Sequence, residues 1–289
     1  MTKPIFSGVC TALVTPFLSG KVNYPMAKLL LKRQMDAGIK AVVVAGTTGE
    51  APTLTDAEKL ELIQECKSYA GSDCTVIAGT GSNSTAHTVS LSIAAQEAGA
   101  DGLMVVSPYY NKATPDGLYA HYVSIAKQVS IPIILYNVPS RTGVDIPVSV
   151  YQRLSRIPGI VGVKEASTDL TKISKIKNAC GKNFSVWSGN DDLTVPVMAL
   201  GGEGVISVAA NLCPEEMLSM TKAAMNEDYE TAAKMQAALS PLTELLFCEV
   251  NPIPVKAAMA CLGLDCGGCR LPLTKPSREN EERIRSYFS

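Results

Sequence analysis

Ile160-Val161-Gly162-Val163-Lys164-Glu165-Ala166 is an apolar run of the length of one buried strand, and a lysine sits where the run ends. A strand covered on both faces has no ordinary use for an ammonium, because desolvating an unpaired charge is costly. The lysine can snorkel to water or pair with a carboxylate such as Glu165. It can also be an enclosed amine that condenses with a carbonyl compound. The run defines the strand type, and the rest of the chain must choose between these chemistries.

Seven more runs of the same kind begin near Gly8, Ala41, Thr75, Gly102, Pro132, Phe184 and Gly204. The eight recur about every 28 residues, the period of a strand-loop-helix-loop unit. They are nearly continuous in apolar residues, as parallel strands buried on both faces are. Helical signals fill the gaps. Thr55-Asp56-Ala57-Glu58 is a capping box, Leu118, Tyr122, Ile125 and Val129 share one helical face, and so do Val150, Leu154 and Ile157. Leu170, Ile173 and Ile176 repeat the pattern, with Gly181 as a C-cap. Eight such units predict an α/β fold, a closed (β/α)8 TIM barrel, with an open doubly wound sheet as the alternative because a period does not reveal closure.

From Asn226 onward the pattern is helical. Helices are expected over 229–239, 242–247, 255–262 and 278–288, with Pro241 ending or kinking the first. Two regions follow: a catalytic barrel at 1–225 and a C-terminal helical region at 226–289 packed on it.

Lys plus Arg number 26 and Asp plus Glu 27, for a net charge of −1, which argues against nucleic acid or an anionic membrane held by bulk charge. No apolar run approaches a membrane span, and Met1 to Gly8 holds no signal-peptide core, so a cytoplasmic location is expected. Nine cysteines, an odd number, lie mostly in apolar stretches and read as reduced thiols. Cys266-Gly267-Gly268-Cys269 is a lone CxxC pair; with Cys261 nearby it could be read as a metal or redox site, but there is no second pair and no histidine close in sequence, and a metal site needs three or four ligands.

In a (β/α)8 barrel the chemistry gathers where strands end. Here those positions hold Gly46-Thr47-Thr48-Gly49-Glu50, Gly79-Thr80-Gly81, Tyr109-Tyr110, Tyr136 with Arg141, Lys164, Ser188-Gly189-Asn190-Asp191 and Ile206-Ser207. Thr47, Thr48 and a glycine-rich turn suit a small carboxylate, and Arg141 offers a planar fork for a second one. Tyr136 and Tyr110 can move protons to and from a carbonyl oxygen. Each has a blander reading: a tight turn, a packed ring, a surface ion pair. Gly79-Thr80-Gly81 is a weak phosphate signal, and His87 and His121 lie in helical segments and read as structural.

The motifs Gly46-Thr-Thr-Gly-Glu50, Tyr136-Asn-Val-Pro-Ser-Arg-Thr-Gly143 and Gly162-Val-Lys-Glu165 resemble those of the dihydrodipicolinate synthase (4-hydroxy-tetrahydrodipicolinate synthase) family, within the N-acetylneuraminate lyase superfamily. The likeness continues through Gly204-Val-Ile-Ser207, Asn251-Pro-Ile-Pro-Val-Lys256 and Arg270-Leu-Pro-Leu273, in order along nearly the whole chain. It implies condensation of pyruvate with L-aspartate 4-semialdehyde, towards diaminopimelate and lysine. By resemblance, Lys164 forms the imine and Tyr136 donates and accepts the proton. Thr47 and Tyr110 complete a relay, with Tyr110 reaching in from a neighbouring subunit. Thr48, Gly189 and Ile206 bind pyruvate, the last two through backbone groups, and Arg141 holds the semialdehyde carboxylate. The resemblance further implies a homotetramer built from two tight dimers, with no metal or organic cofactor beyond the covalent imine on Lys164.

Lysine-inhibited members bind lysine at a subunit interface through Asn, Glu and Tyr groups. Asn83 and Tyr109 match, whereas His87 stands in the place of the glutamate and Ala51 and Lys59 replace other contacts. An imidazole cannot pair with an ammonium as a carboxylate does, so weak or absent feedback is expected. Two other readings stay open: a pyruvate-dependent aldolase acting on a sugar acid, and a catalytically silent binding protein on the same fold.

Overall fold

The computed structural model describes residues 4–289, so Lys3, read above with the N-terminal segment, lies outside it. The elements in order are β1 (Gly8–Ala12), β2 (Phe17–Leu18), β3 (Lys21–Val22), α1 (Tyr24–Asp36), β4 (Ala41–Val44), α2 (Asp56–Ala70), β5 (Thr75–Gly79), α3 (Thr85–Glu97), β6 (Gly102–Val106) and α4 (Pro115–Ala126). Next come β7 (Ile133–Asn137), α5 (Pro139–Thr142), α6 (Val148–Leu154), β8 (Ile160–Glu165), α7 (Leu170–Cys180), β9 (Ser185–Ser188), α8 (Thr194–Ala199), β10 (Gly204–Ser207) and α9 (Pro214–Met225). Three helices complete the chain, α10 (Tyr229–Leu246), α11 (Ile253–Cys261) and α12 (Arg278–Phe288).

Eight parallel strands close in the order β1-β10-β9-β8-β7-β6-β5-β4, so the sheet is the expected barrel and not an open one. Each begins within a residue of its predicted start. The short antiparallel pair β2–β3 is not foreshadowed in the apolar pattern. The Thr55 capping box is present, and Gly181 caps α7 in a left-handed conformation (φ 76°). Helices α4 and α6 end before Val129 and Ile157, which pack on the core from the following loops.

Pro241 neither ends nor splits its helix, because α10 runs unbroken from Tyr229 to Leu246. A proline removes one amide donor and crowds the carbonyl four residues earlier. Here both Pro241 and Ala237 are exposed, so water can satisfy the freed carbonyl. Leu242, Leu245 and Leu246 beyond it are buried and hold the second half in place.

Apolar residues sort into two cores. The larger lies between strands and helices. The smaller fills the barrel and includes Phe6, Cys10, Ile77, Met104, Tyr136, Trp187 and Ile206. Phe6 stacks on Trp187 with ring centroids 4.9 Å apart and closes the barrel floor. Gly162 makes room for that indole, since a Cβ there would lie 2.8 Å from the Trp187 ring and 2.3 Å from the Ser185 carbonyl oxygen. Among the described residues no helix is long and apolar enough to cross a membrane.

Candidate active site

Side chains alternate along a strand, so Gly162 and Lys164 face the barrel interior and Val163 and Glu165 face the helices. That alternation separates Lys164 from the carboxylate next to it. Glu165 accepts from Asn137 Nδ2 at 2.8 Å, Tyr151 Oη at 3.1 Å and the Ser167 amide at 2.9 Å, with Lys172 Nζ 3.6 Å away. Lys172 also pairs with Asp145. This network lies outside the barrel wall, so Glu165 is no partner for Lys164.

Lys164 is 4% exposed, which disposes of the snorkelling reading. In the sheet it lies level with Tyr136 on β7 and Trp187 on β9. Its Nζ stands 4.5 Å from the centroid of the Tyr136 ring, which is 5% exposed. Cys10, buried on the same inner wall, stays a neutral thiol because burial pushes its pKa up. Beyond the mouth, Asp191 is fully enclosed, and burial raises its pKa. Its Oδ2 accepts from the amides of Val208 and Ala209, both at 3.0 Å, and so braces the loop after β10.

The loop after β4 turns tightly between two non-glycine residues in left-handed conformation, Ala45 (φ 53°) and Glu50 (φ 57°). The Glu50 amide donates to the Thr47 carbonyl at 3.0 Å. This turn leaves Thr47 half-buried and Thr48 buried. Gly79 lets β5 approach it: a Cβ there would sit 2.2 Å from the Ala45 carbonyl oxygen, so this glycine serves packing and no phosphate cradle. A cavity of about 530 Å³ opens over the loop and reaches Thr47, Tyr136 and Arg141. It continues outward to Tyr109 and His87. His87 therefore lies on the wall of this cavity and not apart from the strand-end set; its Nε2 is 2.7 Å from Asp56 Oδ2. Burial works to raise the Asp56 pKa, but the contacts from His87 and Lys59 outweigh it and hold the carboxyl low. His121 is buried on Thr85 Oγ1 at 2.9 Å, and desolvation drops its pKa to about 4, so it is neutral at physiological pH.

The remaining candidates divide. Gly189 and Ile206 lie at the ends of β9 and on β10, with Ile206 fully buried in the barrel. The Gly189 amide is taken up by the Glu165 carbonyl at 2.8 Å, which leaves its carbonyl for other work. Arg141 sits exposed on the rim, with Nη2 donating to the Asn251 carbonyl at 3.2 Å. Tyr110 is not brought to this chain's own cavity: it is 89% exposed, in a left-handed conformation (φ 73°). All nine cysteines are free. Cys266 is buried against the Leu264 carbonyl, with burial pushing its thiol up to about 12. Among the described residues no cluster of His, Cys, Asp or Glu could hold a metal ion.

Two residues quoted above only as the ends of the Asn251–Lys256 motif carry structural weight. Asn251 Nδ2 donates to Thr48 Oγ1 at 3.0 Å across 203 positions of sequence. Lys256 Nζ meets Glu50 Oε1 at 2.6 Å across 206. Asn251 comes from the link between α10 and α11 and Lys256 from α11, and both grip the loop after β4.

A closed (β/α)8 barrel with an enclosed Lys164 beside the Tyr136 phenol at its C-terminal mouth places the chain among the lyases built on this fold. The chain belongs to the Dihydrodipicolinate synthetase family, which it matches over residues 5–289. It is 47% identical over 287 residues to the 4-hydroxy-tetrahydrodipicolinate synthase of a Thermoanaerobacter species, covering 99% of this chain and 97% of that one. The crystal structure of dihydrodipicolinate synthase from Aquifex aeolicus superposes with a TM-score of 0.96 at 46% identity, covering 98% and 97% of the two chains. That of the chloride-inhibited enzyme from Acinetobacter baumannii, complexed with pyruvate, gives 0.95 at 41% identity over 97% of each.

Proposed function

We propose that this chain condenses pyruvate with L-aspartate 4-semialdehyde to give 4-hydroxy-tetrahydrodipicolinate, through an imine on Lys164. The observation that carries the reading is an enclosed Lys164 with no carboxylate partner, its Nζ 4.5 Å from the Tyr136 ring centroid. The amine attacks the keto carbon of pyruvate. Tyr136, with Thr47, delivers the proton that lets the carbinolamine oxygen leave as water. The resulting iminium draws electrons from the adjacent methyl group, a proton departs, and the enamine carbon attacks the aldehyde. The α-amine of the second substrate then attacks the iminium carbon, closes the ring and releases Lys164.

Thr48 donates to the pyruvate carboxylate, Gly189 and Ile206 contact pyruvate through backbone groups, and Arg141 holds the carboxylate of the semialdehyde. Tyr110 enters the relay of a neighbouring subunit, in a homotetramer of paired dimers. Its exposure and its strained backbone support a side chain aimed off its own molecule. No metal or organic cofactor takes part, and a cytoplasmic location fits the substrates. Arg141 at the rim favours a short aldehyde with its own carboxylate over the sugar-acid alternative.

Borohydride added with pyruvate is expected to leave a covalent mass increase on the peptide carrying Lys164; an unchanged peptide mass would sink the reading. Arg141→Ala should leave that trapping intact while raising the KM for the semialdehyde about tenfold or more, since a bidentate charged contact is lost. Equal damage to both steps would contradict the division of labour.

Feedback by lysine is expected to be weak. The one carboxylate on that stretch of the cavity wall, Asp56, is already engaged by His87 at 2.7 Å and Lys59 at 3.4 Å. Initial rates should hold within about twofold at millimolar lysine; strong inhibition there would refute the expectation.

A further inference from the structure

We propose that Asn251, supplied by the link between α10 and α11, is a positioning residue that fixes the Thr48 hydroxyl as a donor toward the pyruvate carboxylate. The proposal rests on the functional reading above and goes beyond it in assigning a role to the helical region.

Three observations carry it. A hydroxyl has one proton and two lone pairs. Asn251 Nδ2 occupies a lone pair of Thr48 Oγ1 at 3.0 Å, so the Thr48 proton points away from Asn251. Both side chains are enclosed, at 5% and 2% exposure, so water does not compete freely for that proton. Next, Asn251 Oδ1 is buried without a hydrogen-bond partner. Leaving such an acceptor unpaired is costly, so the amide is not oriented for its own satisfaction. Finally, the main-chain carbonyl of Asn251 accepts from Arg141 Nη2 at 3.2 Å. One residue thus touches both proposed carboxylate-binding groups, Thr48 through its side chain and Arg141 through its backbone.

The two contacts can be separated, because alanine at 251 keeps the carbonyl and loses the amide. In the full-length protein, Asn251→Ala is expected to raise the KM for pyruvate about tenfold and to move that for the semialdehyde by less than about twofold. Asn251→Asp replaces the donor by an acceptor, which captures the Thr48 proton and sets a negative charge near the carboxylate; its pyruvate KM should rise further, by about a hundredfold. In a Thr48→Val background, Asn251→Ala should add less than about twofold, since both changes remove one device. A merely structural asparagine would shift both KM values together and add to Thr48→Val in full, and either result overturns the proposal. Should Asn251→Ala not fold, Asn251→Ser, which also lacks the amide, must show the same split. Borohydride trapping of the unaltered protein keeps two failures apart. Without a trapped adduct the functional reading falls; with one, an unmoved pyruvate KM in the Asn251 variants defeats this inference alone.

Discussion

Lys164→Ala is expected to abolish imine trapping and to lower kcat/KM on the order of 10⁴-fold or more, while the protein stays folded and melts close to the parent. The first half follows from covalent catalysis: among the described residues Lys164 is the amine that stands over the Tyr136 ring, and the electron sink is lost with the imine. The second half follows from burial. Lys164 is 4% exposed and lacks a carboxylate partner, because Glu165 is engaged on the far side of the strand by Asn137, Tyr151 and Lys172. Removing an amine that is costly to desolvate, from a position where no ion pair is broken, costs little beyond the packing of its stem. The neighbouring substitution Glu165→Ala should behave in the opposite sense, since it leaves the buried Lys172 with Asp145 alone and orphans three donors. Activity assays and thermal melts of the two variants decide this. A Lys164→Ala protein that unfolds, or that still turns over, would show the lysine to be a structural charge.

Much of the barrel was legible because its strands are covered on both faces. Burial on two sides forces a continuous apolar run, and such runs stand out at Ala41–Val44, Gly102–Val106 and Ile133–Asn137. The strand-end set was legible for a related reason: Thr47, Tyr136 and Lys164 are polar groups abutting runs that otherwise exclude them. Tyr110 was placed across an interface by resemblance alone; its own residues show only an exposed ring on a strained backbone. Of the two readings of Pro241, an end or a kink, the end fails because a sequence window weighs the lost amide and not the compensating burial of Leu242, Leu245 and Leu246. His87 reads as structural because it lies in a helical segment, yet the barrel curves the N-terminal turn of α3 onto the cavity that Tyr136 lines. Asn251 and Lys256 stand in a family motif, but the motif does not name their partners, which lie over 200 residues away and are met only when the fold brings the C-terminal region back onto the loop after β4.

That return contact is where stability and catalysis meet, and Lys256→Met tests it. Glu50 Oε1 receives Lys256 Nζ at 2.6 Å, and the side chains are 0% and 3% exposed. Its Oε2 receives the Arg270 amide at 2.8 Å, so the carboxylate is satisfied on both oxygens by the C-terminal region. Lys256 also donates to the Gly268 carbonyl at 3.2 Å and lies 4.3 Å over the Phe17 ring. Nearby, Arg270 reaches Glu58 at 2.5 Å and holds that carboxyl at a pKa of about 2. Removing one partner of a buried pair leaves an uncompensated charge, at a cost of about 3–5 kcal/mol. In a chain of this size that is a fall in melting temperature of about 10 °C. Glu50→Gln should cost a similar amount by stranding the ammonium. The double variant Glu50→Gln/Lys256→Met, which strands neither charge, should lose less than the sum of the two. Because Glu50 closes the turn that carries Thr47 and Thr48 in a left-handed conformation, both single variants should also lose imine formation before they unfold. Melting within about 2 °C of the parent would mean that the pair is replaceable by local relaxation. Full additivity would mean that the two charges do not act as one contact.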